Sequence, residues 1–419
     1  MSRLPLDSLA FSLLEAARID AAVFAGQSLA EGLLGRVDSV ARPAVQDLVY
    51  GSLRSYGRGD FFLNQLLSKP LAEDEIRALL LVAIYRLETR PDSEHTVVDQ
   101  AVVAAGELAE GRFRALVNGV LRNFLRQRET LLAALAEDAV ASAQHPDWWL
   151  ARVQAAYPQD WQSIVAAGNG PPPMALRVNL RRCSRDEYLA RLAAEGIVAT
   201  PVGEAGLVLA KPVPVERLPD FSAGLVSVQD PGAQMAAILL DPAAGSRVLD
   251  ACAAPGGKTA HLLERNNLDL LALDLKPSRC RRVAENLERL GFKADIRASD
   301  CVKLNTWWDG QPFDAVLADV PCTASGVVRR NPDAKWLRRE TDIASFAAAQ
   351  SRILEALWQV VRPGGKLLYV TCSVFPAENG EQISDFLARQ PQARRGHEEQ
   401  LLPTAEHDGF YYCLLEKHA

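Results

Sequence analysis

Two cysteines stand where apolar runs end: Cys322 in Asp319-Val320-Pro321-Cys322 and Cys372 in Thr371-Cys372-Ser373. The runs before them read as strands, and in an open α/β sheet the carboxyl ends of the strands line the ligand crevice, so both thiols are expected at one cleft. A thiolate there is a nucleophile. Next to a methyl donor, it suits one reaction in particular. Carbon 5 of a pyrimidine is too weak to attack a sulfonium methyl, but thiolate addition at carbon 6 makes an enamine whose carbon 5 can attack. Loss of the carbon 5 proton and expulsion of the thiolate then restore the ring. An acid that hydrogen-bonds the ring edge would assist the addition, and Asp319 is placed for it. For Cys252, Cys280, Cys301 and Cys413 the plainer reading of the side chain, a small buried hydrophobe, is kept.

The donor site is expected at Val248–Thr259, where a short strand runs into a glycine loop and a helix begins near Lys258. The helix N-terminus offers unpaired N–H groups and the positive end of its dipole. The spacings G-x-x-x-x-G-K-[ST] and G-x-G-x-x-G are both absent, which removes nucleoside triphosphates and dinucleotides and leaves a nucleoside bearing a carboxylate, S-adenosylmethionine. Three acids close the strands that follow. Asp274 is expected on ribose hydroxyls, Asp300 on the adenine amino group, and Asp319 at the end of the next strand. Any one alone could equally be a cap or turn residue; three at successive strand ends make that reading weak.

These elements must be carried by a chain of 419 residues, long enough for more than one domain, with 48% apolar content to fill its cores. No apolar run is long enough to span a membrane and the start carries no signal pattern, so the expectation is a cytoplasmic protein. The seven cysteines include no C-x-x-C pair and no cluster with histidine, which argues against a metal and against disulfides. A net charge of −6 excludes a coat of bulk positive charge for nucleic acid, but not local basic patches. Candidates are Arg181-Arg182 with Arg185, Arg329-Arg330, Arg338-Arg339 beside Lys335, and Arg112, Arg114, Arg122, Arg126 and Arg128.

Apolar spacing predicts helices throughout residues 6–138 and a further one at 132–143, ended by His145-Pro146-Asp147-Trp148-Trp149. Gly168–Pro173 reads as a stiff linker. Strands at 174–180 and 206–210 around a helix at 184–195 predict a small α/β subdomain, with Arg177, Asn179 and Arg181 on one face of the first strand. From Val226 onward, strands alternate with amphipathic helices, which implies a mostly parallel sheet closed by an antiparallel strand at 409–417. The expected domains are therefore 1–140, 141–225 and 226–419.

The motifs Asp250–Thr259, Asp319–Gly326 with Arg329–Trp336, Arg362-Pro363-Gly364-Gly365, Thr371–Val374 and Asp408-Gly409-Phe410 together resemble the RsmB/NOP/Sun family of RNA cytosine-5 methyltransferases. Leu80–Leu87 and Leu116–Asn123 resemble the helical, RNA-binding NusB family. The resemblance implies a multidomain protein: an all-α NusB-like domain, a small α/β subdomain, and a Rossmann-like class I methyltransferase domain. It implies Cys372 as nucleophile, Cys322 as an aid to product release, and cofactor contacts at Cys252, Ala253, Ala254, Pro255, Gly256, Gly257, Lys258, Asp274, Asp300 and Asp319. The substrate it implies is small-subunit (16S) ribosomal RNA, met by a monomer without metal. The arginine patches add Arg177, Asn179, Arg181, Arg122, Arg126 and Arg330 as candidate RNA contacts. Val320 departs from the family's usual Ala and touches no assigned role. The alternatives are a cytosine-5 enzyme for another RNA such as tRNA, a non-catalytic NusB-like adaptor, and a methyltransferase for exocyclic amines. The intact loop, acids and thiols count against the adaptor, and Pro321-Cys322 stands where the amine enzymes carry an Asn or Asp-Pro-Pro-aromatic turn.

Overall fold

The computed structural model describes residues 4–418. The chain forms two compact units: the first ends at Gly170 and takes back Val328–Glu340, and the second comprises Pro171–Val327 and the chain from Thr341 onward. No helix among the described residues is long and apolar enough to cross a membrane.

The first unit is helical. Leu9–Phe24, Arg42–Arg54, Tyr56–Leu66, Asp74–Thr89, Glu94–Ala105 and Arg114–Ala136 each bury one stripe, including Leu13, Phe62, Leu80, Ile84 and Phe124. The helix expected at 132–143 is two pieces. Arg114–Ala136 runs on past Leu132, and Asp138 starts the next turn by accepting from the Ala141 N–H at 2.8 Å. The unit also extends beyond residue 140, through helices Asp147–Ala156 and Trp161–Asn169.

Its last piece comes from far along the chain. In Val328–Glu340, the fully buried Lys335 donates to Arg54 O (3.2 Å), Gln144 O (3.1 Å) and Asn169 Oδ1 (2.8 Å). Trp336 Nε1 donates to Leu53 O at 2.8 Å, and Asp333 Oδ2 accepts from Ser28 Oγ (2.8 Å) and the Leu29 N–H (3.0 Å). The motif Arg329–Trp336 thus completes the helical core. A truncation at residue 140 would strip the cover from this segment.

The second unit holds two sheets. The smaller is antiparallel, in the order β2-β3-β1-β4, from β1 (Ala175–Val178), β2 (Ala199–Val202), β3 (Gly206–Leu209) and β4 (Val226–Val228). Helix Arg185–Ala194 covers it, started by a capping box between Ser184 and Glu187. The sequence reading did not anticipate β2, whose Pro201 is tolerated because β2 is an edge strand. It also put β4 with the following domain, although β4 pairs with β1.

The larger sheet has the order β10-β11-β9-β8-β5-β6-β7, from β5 (Arg247–Asp250), β6 (Asp269–Asp274), β7 (Asp295–Ala298), β8 (Phe313–Asp319), β9 (Val361–Thr371), β10 (Ala393–Leu401) and β11 (Phe410–Lys417). β5 to β9 are parallel; β11 is antiparallel to β9, and β10, which the sequence did not reveal, is antiparallel to β11. Helices Pro231–Leu240, Gly257–Arg265 and Pro277–Leu290 fill one face through Leu240, Leu262 and Leu287; Glu340–Val360 and Gly380–Arg389 fill the other through Leu354, Leu357 and Phe386. The chain builds outward from β5 in both directions, to β6 on one side and β8 on the other, so the switch point of the sheet lies at the carboxyl end of β5.

Candidate active site

At that switch point the chain leaves β5 through Ala251–Gly256 and enters helix Gly257–Arg265. Gly256 has φ +96°, and a Cβ there would lie 3.1 Å from the Val283 backbone, so the loop needs glycine both for its conformation and for its contact with the next helix. At Gly257 a Cβ would meet only Gln229 Nε2, at 3.6 Å, so the helix N-terminus is open on that side.

Asp274 and Asp319 end β6 and β8 as expected, whereas Asp300 lies just beyond β7, which ends at Ala298. Asp274, its side chain 3% exposed, accepts from the Ala254 N–H and the Lys276 N–H, each at 3.2 Å, and Arg279 lies 3.5 Å away. It therefore ties the β6 end to the glycine loop. Asp300 is half-buried and accepts from the Val302 N–H at 3.1 Å. Asp319 accepts from Lys258 Nζ at 2.6 Å. Burial alone would lower the Lys258 pKa, but the charge of Asp319, with Cys372 and Asp250 behind it, raises it. The proton donor of this pair is thus the ammonium, and Asp319 orients it. Beneath the loop, Asp250 binds Thr259 Oγ1 at 2.7 Å, and burial pushes its carboxyl up to about 7.

The two thiols meet at the neighbouring strand ends. Cys322 Sγ lies 3.3 Å from Cys372 Sγ. The hydrogen bond to Cys372, then burial, raise the Cys322 pKa well above that of a free thiol, and either sulfur can be the donor of the S–H···S contact. The Gly326 N–H donates to Cys372 O at 2.8 Å. A Cβ on Gly326 would stand 2.4 Å from Gly409 O, and the Gly409 N–H donates to Gly326 O at 2.8 Å. This close backbone crossing explains the glycine of Asp408-Gly409-Phe410. The Phe410 ring lies 5.5 Å from Lys258 Nζ.

Below the thiols is a buried polar network that the sequence reading missed. Glu378, fully buried, accepts from the Thr323 N–H (2.9 Å), Thr323 Oγ1 (2.5 Å), Ser373 Oγ (2.5 Å) and Gln350 Nε2 (3.1 Å). Burial raises its pKa against these hydrogen bonds. Asn379 donates to Ser373 O at 2.9 Å and accepts from Thr371 Oγ1 at 2.6 Å. The available signal was a Glu-Asn pair a few residues beyond Thr-Cys-Ser, which looks like an ordinary helix start.

Two expected RNA contacts are corrected. Arg177 is fully buried. Its guanidinium grips Glu264 through Nε (2.7 Å) and Nη2 (2.8 Å), donates through Nη1 to Gly257 O (2.9 Å), and also binds Gln229. It braces the glycine loop. Asn179, also buried, lies past the end of β1, donates to Gly224 O at 3.2 Å and holds the Arg181 N–H at 3.2 Å. Period-two alternation gave them one face, but helix Gly257–Arg265 covers Arg177 through Glu264 and Gly257, and Asn179 turns onto the Gly224 carbonyl. Arg181 is exposed, with Nε on Glu264 O (2.8 Å) and Nη1 on Asn267 Oδ1 (2.8 Å). In the helical unit, Arg122 and Arg126 are exposed one turn apart, while Arg330 is half-buried.

A mostly parallel sheet with a glycine loop at its switch point and paired thiols beside it, preceded by a helical domain, defines a Rossmann-like methyltransferase. Comparison with known proteins narrows this. The model of the 16S rRNA methyltransferase RsmB/F family matches residues 237–416, a ferredoxin-like domain of RsmF/B-like methyltransferases matches 145–216, and the NusB family matches 8–126. Ribosomal RNA small subunit methyltransferase B of Pseudomonas putida is 45% identical over 97% of this chain and 98% of its own, and the protein of the same name from Vibrio cholerae is 44% identical over 89% of each. The crystal structure of PH0851 matches with a TM-score of 0.82 over 100% of both chains at 24% identity, a likeness of fold. The chain belongs to the 16S rRNA methyltransferase RsmB/F family.

Proposed function

We propose that this protein methylates carbon 5 of a cytosine in small-subunit ribosomal RNA, with S-adenosylmethionine as donor and Cys372 as the nucleophile that adds to carbon 6. The observation that carries the reading is the pair of thiols 3.3 Å apart at the ends of β8 and β9, beside a glycine loop with no triphosphate or dinucleotide spacing.

The residues present fit the cofactor. The open N-terminus at Gly257 suits a carboxylate, Asp274 is held with acceptor capacity for ribose hydroxyls, and Asp300 is left for the adenine amino group. When bound, the cofactor supplies an electrophilic methyl. Cys372 adds to carbon 6 as thiolate, and the Lys258 ammonium, fixed by Asp319, is the donor for negative charge developing on the ring. Once carbon 5 carries the methyl, its proton leaves to a base, the carbon 6–sulfur bond breaks, and the Cys372 thiolate departs. The Cys322 thiol, kept protonated, donates to that departing sulfur and favours release. Arg122 and Arg126 on the helical unit and Arg181 on the second unit are proposed as phosphate contacts, since the net charge of −6 leaves RNA affinity to local patches.

The test uses the full chain, small-subunit ribosomal RNA and S-adenosylmethionine. Cys372→Ala should abolish methylation and any denaturant-resistant protein–RNA band, whereas Cys322→Ala should accumulate that band. A band from Cys372→Ala and none from Cys322→Ala would exchange the two roles. Nucleoside mass spectrometry finding methyl on nitrogen would overturn the reaction.

A further inference from the structure

We infer that Glu378 is a positioning residue that sets the spacing of the two thiols, and that it does so through two separable tethers, Thr323 for Cys322 and Ser373 for Cys372. The inference deepens the thiol chemistry above and rests on that reading for the names of the two steps.

Each reactive cysteine is followed at once by a hydroxyl residue, and both hydroxyls end on the same oxygen of one carboxylate: Thr323 Oγ1 and Ser373 Oγ each lie 2.5 Å from Glu378 Oε2. The other oxygen takes the Thr323 N–H at 2.9 Å and Gln350 Nε2 at 3.1 Å, and that amide also donates to Pro321 O at 2.9 Å, on the other side of Cys322. Four donors occupy the acceptor positions of a carboxylate. The hydroxyls also bind Ser325 Oγ, Ser373 at 2.9 Å and Thr323 at 3.2 Å, they lie 3.3 Å from each other, and Ser325 Oγ in turn accepts from the Val374 N–H at 2.9 Å. Thr323, Ser373 and Glu378 are fully buried, so water cannot substitute for a lost partner, and an unmade bond leaves its group unsatisfied.

The two cysteine turns come from strands that part at their ends. The sheet ladder between them ends at the Val320 N–H on Val370 O (3.0 Å), two residues before each cysteine, and the turns meet again through the Gly326 N–H on Cys372 O (2.8 Å). Beyond the ladder, Glu378 joins the turns laterally, and its negative charge is among the causes that keep the Cys322 thiol protonated, after Cys372 and burial.

Removing one tether should therefore disturb one thiol. Single-turnover kinetics on the full chain would follow formation and release of the protein–RNA adduct separately. Thr323→Val should slow release at least tenfold with formation within twofold, and Thr323→Ser should restore it. Ser373→Ala should slow formation at least tenfold. Glu378→Gln, whose single amide oxygen cannot accept all four donors, should slow both, with affinity for S-adenosylmethionine within twofold. A swapped partition, Thr323→Val slowing formation and Ser373→Ala slowing release, supports the tethers and reassigns the cysteines. Formation and release falling in equal proportion in all variants would overturn the proposal. Alkylation of the two cysteines by iodoacetamide, read by peptide mass spectrometry without RNA, tests the geometry independently of the reaction: Thr323→Val should change the rate at Cys322 alone and Ser373→Ala at Cys372 alone. Rates at both cysteines unchanged in both variants would equally overturn it.

Discussion

Replacing Arg177 by alanine should destabilise the catalytic unit far more than loss of an ordinary arginine. The guanidinium is fully buried and its partner Glu264 has a side chain only 4% exposed, so the pair is desolvated on both sides. Alanine would leave the Glu264 carboxylate without a counter-charge in that environment, which costs about 3–5 kcal/mol. It would also free Gly257 O from Nη1, loosening the first residue of the helix behind the glycine loop. For a unit of this size, each kcal/mol shifts the melting temperature by about 2–4 °C, so a fall of roughly 6–20 °C is expected. The assay is thermal unfolding of Arg177→Ala, Glu264→Leu and the double variant Arg177→Met with Glu264→Leu. The double variant should recover much of the loss, because no charge remains buried alone, and binding of S-adenosylmethionine should weaken in Arg177→Ala but less in the double variant. A shift below about 2 °C in Arg177→Ala, or a double variant no better than the worse single one, would refute the argument that an uncompensated charge is the cause.

Two further outcomes follow from the geometry. Gly326→Ala would put a Cβ 2.4 Å from Gly409 O and within 2.9 Å of the rest of that backbone, so adduct formation should fall at least tenfold while affinity for S-adenosylmethionine stays within twofold; stopped-time gel assays and calorimetry read the two, and wild-type adduct kinetics would show the crossing to be slack. Lys335 is driven by burial, then by the charge of Arg54, down to about 7 from 10.5. Between those values the unfolded chain binds the proton that the folded chain lacks, so the stability of the helical unit should rise with pH from about 7 to about 10, by about 1.4 kcal/mol per unit, and flatten below 7, where both states are protonated. Lys335→Met should remove that slope in denaturant melts at pH 6 to 10, and an equal slope in both proteins would place the titration elsewhere.

Much of the chemistry could be read directly along the chain, because short-range patterns encode it. The apolar run into Asp250, the glycines after it, and the acids at 274, 300 and 319 specify strands, a loop and their ends through local propensities that need no partner. Helix Pro277–Leu290 is one of the amphipathic helices expected between the strands, and its proline at the start and glycine just past the end are local signals. The reach of the thiols to one cleft was also legible, because parallel strands deliver their carboxyl ends to a common edge.

Tertiary structure alone decided which polar groups face inward. Alternation in Arg177-Val178-Asn179 shows two faces but not what covers each; the covering helix, with Glu264 on it, is encoded some ninety positions later, and only the fold turns an apparent basic surface into a buried ion pair. Arg329–Trp336 is similar, since it reads as basic surface and is the plug of a helical core assembled from residues 28, 29, 53, 54, 144 and 169. Glu378 is the extreme case. A glutamate beginning a helix carries no mark of being fully buried, and its role exists only where β8 and β9 bring Thr323 and Ser373 to the same carboxylate. The sequence states each element's own preference; which groups must share a dry interior depends on partners distant in the chain, and burial there changes the energy of a charge by more than any local pattern records.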